Sequence, residues 1–154
     1  MSFTIDRTSL LVRVPGAATL TSIEEALAAE GLTLGVPITN TSVAEWLASG
    51  ALGAPSSFAD PADHLVAGLG ATLLDGQRID VHPSPRRAVG PDLIALFVGA
   101  NERFGVIKDA WLRVHPKGAR RVALPVENLE LDPPLSSEED TLLQAIQREL
   151  AASP

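Results

Sequence analysis

The residues of this chain that could do chemistry are few. There are three histidines, His64, His82 and His115, and no cysteine. Imidazoles shuttle protons and ligate zinc, but a metal site needs them at ligand spacing, and these three are scattered along the chain. They read as structural or incidental histidines. Ser56 and Ser57 lack the glycine-flanked turn of a nucleophile elbow, so no hydrolase triad is indicated. Neither GxxxxGK nor GxGxxG occurs, which removes the usual phosphate and dinucleotide loops. Arg86 and Arg87 could hold an anion or pair with carboxylates. Solvated charge is the simpler reading. Residue types alone therefore assign no catalytic residue and no metal ligand.

The elements that would position a site follow from composition and pattern. The chain has 154 residues, 45% of them hydrophobic and 20% charged, as expected for one globular domain. Aromatics make up only 4%, so the core must come from Leu, Val, Ile and Ala. No apolar run is long enough to span a membrane, and the N-terminus does not read as a signal peptide. These features lead to the expectation of a soluble cytoplasmic protein. The net charge of −7 is concentrated after Val126, where Glu127, Glu130, Asp132, Glu138, Glu139, Asp140 and Glu149 face only Arg148. Such a segment repels phosphate backbones and argues against nucleic-acid binding.

Residues 10–14, LLVRV, alternate as a strand and break at Pro15-Gly16. Thr21 and Glu24 suggest a capping box for a helix with a Leu20, Ile23, Leu27 stripe, stopped by Gly31. LTLG is a brief extended segment. Ser42 and Glu45 suggest a second box for a short helix through Val43, Trp46 and Leu47. Residues 50–63 read as a loop. Asp75-Gly76 predicts a two-residue turn in a hairpin of strands 65–74 and 77–82. Pro91 would open a helix closed by Gly99. Residues 104–115 supply one or two more strands. After an LDPPL linker, Ser136 and Glu139 cap a last helix with Leu142, Leu143, Ile146 and Leu150 on one side. Strands that come as a hairpin and neighbours favour an α+β fold with a mainly antiparallel sheet flanked by short helices.

Several stretches, in order, resemble the flavin-binding domain of the vanillyl-alcohol oxidase family, the PCMH type. VRVPGAATLTSIEEALAAEGLTLG is similar to its strand, glycine turn and helix. SVAEWLASGALG stands in the place of its TVGGxxAxxxxG flavin loop, and DHLVAGLGATLLDGQRI in that of the following hairpin. PRRAVGPDLIALFVGANERFGVIKDAWLRVHP is similar to GPDL followed by GSEGTLGVIT and a strand ending in proline. The members that look nearest are glycolate and D-lactate dehydrogenases and alkyl-dihydroxyacetonephosphate synthase. The resemblance covers about residues 9–117.

The resemblance implies FAD as cofactor, with Ser42, Val43, Gly50, Gly53, Gly105, Val106 and Ile107 as the cofactor-binding candidates. It also marks departures. Ala44 and Glu45 replace the two central glycines of the first loop, and Asn101, Glu102 and Arg103 replace small residues in the last. A side chain takes the space that glycine leaves for a ligand, and Glu45 carries negative charge towards an anionic pyrophosphate. The family's first lobe, whose glycine-rich loop wraps the pyrophosphate, has no match, nor has its substrate domain. No covalent flavin anchor is recognisable. The expectation is a truncated FAD-binding-type domain at 1–118, the second half only, followed by an acidic linker and helix at 119–154. Alone it would bind FAD weakly or not at all. It would serve as a non-catalytic accessory or interaction module, in a homodimer or beside a larger subunit. The alternative is the FAD-binding subunit of a split oxidoreductase acting on a small 2-hydroxy acid. No membrane partner is expected.

Overall fold

The computed structural model describes residues 3–54, 64–83 and 92–118, together with positions 141, 144–146 and 148. Its elements run β1 (Thr4–Asp6), β2 (Leu11–Pro15), α1 (Leu20–Ala29), β3 (Leu32–Thr33), α2 (Val43–Ala48), β4 (Val66–Leu73), β5 (Arg78–Val81), a 3-10 turn (Leu93–Leu96), β6 (Gly105–Arg113) and β7 (His115–Pro116). The fold is α+β. Five strands form one sheet in the order β1-β2-β6-β4-β5, and every pairing is antiparallel. β3 and β7 make a separate antiparallel pair.

β6 is central because it pairs with β2 on one side and β4 on the other. Its Ile107, Ala110 and Leu112 are buried, and so are Val12 and Val14 of β2 and Leu69 and Ala71 of β4. α1 buries Leu20, Ile23 and Leu27 in the same cluster, which also takes Val43, Trp46 and Leu47 of α2. Each such aliphatic side chain contributes on the order of 1.5–3 kcal/mol when withdrawn from water. The core is therefore mainly aliphatic, with Trp46 and Phe97 its buried aromatics.

Local details differ from the sequence reading in three places. α1 is capped by Thr19, whose hydroxyl accepts the Ser22 N–H at 3.2 Å, and not by Thr21. Glu24 is drawn off to accept from the Thr33 hydroxyl and from the Leu34 N–H at 3.0 Å, which ties α1 to β3. The hairpin pairs Thr72 with Arg78, and Leu73 N–H donates to the Gln77 carbonyl at 2.8 Å. Its loop is thus Leu74, Asp75 and Gly76, with Gly76 in the left-handed region (φ 88°), rather than a two-residue turn. Last, the segment expected to be a helix up to Gly99 is a single 3-10 turn, capped by Asp92. Thr141, Gln144, Ala145, Ile146 and Arg148 are helical, where the last helix is expected, and Ile146 is half-buried. Leu142, Leu143, Leu150, Ser56, Ser57, Arg86, Arg87 and Pro91 lie outside the described residues.

Candidate functional site

The two loops that the resemblance assigns to the flavin are brought together. Gly99 N–H donates to the Leu47 carbonyl and Asn101 N–H to the Ala48 carbonyl, both at 2.9 Å. The last turn of α2 is thereby stitched to the loop that enters β6. Trp46 anchors the other side of that turn, since its indole N–H donates to the Leu52 carbonyl at 3.0 Å. The sequence reads the first segment as a short helix, which is α2, and the stretch after Gly99 as a loop, but has no means of showing that they bond to one another.

A flavin pyrophosphate is commonly held by free backbone N–H groups at a helix start or in a tight turn. Here those groups are already used. Val43 N–H donates to the Ala18 carbonyl at 2.8 Å and Ala44 N–H to the Gly16 carbonyl at 2.9 Å. Glu45 N–H goes to the Ser42 hydroxyl at 3.2 Å, confirming Ser42 as the cap of α2. Gly50 and Ala51 donate back to Leu47 and Trp46. The first turn of α2 therefore points no free amide outward.

The candidate glycines are explained in the same way. A Cβ at Gly105 would lie 2.3 Å from the Thr72 carbonyl oxygen, so this glycine lets β6 approach β4. A Cβ at Gly53 would lie 2.7 Å from Cγ of Pro37. Gly50 sits against Gly99, both in the left-handed region (φ 93° and 78°). Of the other candidates, Val43 and Ile107 are core residues, and Ser42 and Val106 are half-buried. Of the candidate glycines, only Gly50 meets Gly99 at the seam, while Gly53 packs on Pro37 and Gly105 on β4.

What faces solvent along this seam is polar: Glu45, Ser49, Asn101 and Glu102 are exposed. Asn101 and Glu102 are both left-handed (φ 49° and 62°), a conformation uncommon for residues with side chains. Glu102 stands where the resembled GSEGTLGVIT pattern has its second glycine, and its own backbone lies in the region that glycine favours.

Searches with this chain place the fold. No family model matches it, and no curated protein does. Among solved structures, alkyldihydroxyacetonephosphate synthase in one crystal form matches 73% of the chain with a TM-score of 0.62 and 19% identity. A second crystal form of alkyldihydroxyacetonephosphate synthase matches 73% with a TM-score of 0.61 and 17% identity. The chain shares a fold with part of that synthase. The match covers 20% and 21% of the two synthase chains, so the chain spans about a fifth of their length. At this identity the likeness is one of fold, and it agrees with the resemblance read from the sequence.

Among the described residues, no group of three or more His, Cys, Asp or Glu side chains could hold a metal ion. No helix among them is long and apolar enough to cross a membrane.

Proposed function

We propose that this chain is a flavin-domain-type module that acts through a protein partner rather than as a catalyst by itself. Alone, it holds FAD weakly or not at all. The observation that carries this reading is the use of the seam's own amides: Val43, Ala44, Glu45, Gly99 and Asn101 donate to groups of the same fold. A ligand phosphate would have to displace those bonds and approach two exposed carboxylates, Glu45 and Glu102. The partner is a second copy or a larger subunit, with the polar seam as the surface it meets.

The second reading is an FAD-binding subunit of a split oxidoreductase acting on a small 2-hydroxy acid, with another chain completing the site. It is supported by the retained Ser42, Gly50, Gly53 and Gly105, of which Ser42 caps α2 and the three glycines lie at positive φ. The two are separated by the visible spectrum and light scattering of the purified full chain. A colourless protein that is dimeric, or that associates with a larger subunit, supports the first reading. Flavin absorbance that survives gel filtration, with a partner bound, supports the second. A colourless protein that stays monomeric and takes up no partner would contradict both.

A further inference from the structure

The sheet face turned away from α1 and α2 carries a charge array that the flavin reading does not use. Asp109, at the centre of β6, accepts Nε and Nη2 of Arg13 at 3.1 and 3.0 Å on one carboxylate oxygen. Its other oxygen accepts Nη2 of Arg78 at 2.8 Å. Arg78 is further fixed by Asp80, with contacts of 2.8 and 2.7 Å. Arg78 must cross β4 to reach Asp109, and it does so over Gly70. A Cβ there would stand 2.6 Å from both the guanidinium and the carboxylate. Gly70 thus keeps the path open.

A β-bulge brings in a further cation. Asp109 pairs with Gly70 and Ile107 with Ala71, so Lys108 is the extra residue of β6. A bulge re-aims side chains, and Lys108 and Asp109 come to line the same concavity. That open cavity, about 450 Å³, is lined by Thr4, Arg13, Val14, Pro15, Lys108 and Asp109. Among the described residues, neither Nη1 of Arg13 nor the Lys108 ammonium has a hydrogen-bond partner or ion pair. The Arg13 guanidinium is held in place, 5.9 Å from the centre of the Trp111 ring.

We propose that this cavity binds a small oxyanion, a carboxylate or a phosphoryl group, between Arg13 and Lys108. Both oxygens of Asp109 are taken by arginines, so the carboxylate acts as an anchor and the lining keeps a net positive charge. An oxyanion would accept from the free edge of Arg13, from Lys108 and from the Thr4 hydroxyl. Charge-assisted bonds to a pre-positioned guanidinium are the strong class of such contacts. The site does not depend on flavin binding.

The test is a titration of the ¹⁵N-labelled full chain with sodium phosphate, sodium acetate and sodium chloride at constant ionic strength. The readouts are the Arg13 Nε–H and Trp111 indole resonances. The expected result is saturable shifts with phosphate or acetate at millimolar concentrations, with Lys108→Gln weakening binding about tenfold and Lys108→Arg restoring it. Preference for phosphate would mark a phosphoryl ligand, and preference for acetate a carboxylate one. Arg113→Gln, exposed on the same strand but outside the cavity, should titrate like the parent. Shifts reproduced by chloride, no saturation, or unchanged affinity in Lys108→Gln would overturn the proposal.

Discussion

Gly50 and Gly99 face each other across the seam between the two loops: a Cβ built on either would stand 3.8 Å from the Cα of the other. That separation is an ordinary contact, so space alone does not require glycine. The backbone does, because both residues lie at positive φ. Gly99→Ala and Gly50→Ala should each cost about 1–2 kcal/mol, the penalty for a left-handed residue with a Cβ. Urea midpoints read this directly, and an unchanged midpoint would contradict it.

Gly105→Ala should cost more, and for a different reason. Its Cβ would collide with the backbone oxygen of Thr72 at 2.3 Å, and no side-chain rotation relieves that. β4 and β6 would have to separate at their shared end. A loss of about 3 kcal/mol or more is expected, the upper range for overpacking. A well-folded Gly105→Ala variant of parental stability would show that the two strands do not meet as described.

Glu102 offers the opposite test. Its side chain is exposed and its backbone is left-handed (φ 62°). Glu102→Gly should therefore be neutral or stabilise by up to about 1 kcal/mol, the relief at φ outweighing the added freedom of the unfolded chain. Thermal melts compare the two, and a loss above 1 kcal/mol would mean that Glu102 makes a contact of its own.

The Arg78–Asp80 pair gives a pH signature. Hydrogen bonding to Arg78 holds the Asp80 carboxyl below its ordinary value of 3.8. A carboxylate whose folded pKa is lowered adds stability above its unfolded value and loses it as pH falls through the folded one. The difference in urea midpoint between the parent and Asp80→Asn should be flat above about pH 5 and shrink at pH below about 4. A difference that grows towards low pH would contradict this sign.

The cap of α1 shows what the sequence made legible and what it did not. The Leu20, Ile23, Leu27 stripe announces the helix, but the capping box read at Thr21 and Glu24 is not the cap that forms, which is Thr19. Tertiary contacts take both members of that box: Glu24 goes to Thr33 and Leu34, and Thr21 donates to the Thr39 carbonyl at 3.0 Å. Thr19→Ala should cost about 1 kcal/mol and Thr21→Ala clearly less. The hairpin was legible from Asp75-Gly76, yet the loop length depends on the pairing of Leu73 with Gln77. The Arg13–Asp109–Arg78 array was not legible at all. Its members are 96 and 31 residues apart, and only the strand order brings them together. For the flavin loops the sequence located the segments, while their amide partners required coordinates.

The central claim is that the amides of Val43, Ala44, Glu45, Gly99 and Asn101 are spent on the fold, so that the seam holds a dinucleotide weakly or not at all. Calorimetric titration of FAD into the flavin-free full chain tests it most directly. The account predicts no saturable uptake at micromolar FAD. Stoichiometric binding with a dissociation constant below about 1 μM, worth roughly 8 kcal/mol, would contradict it.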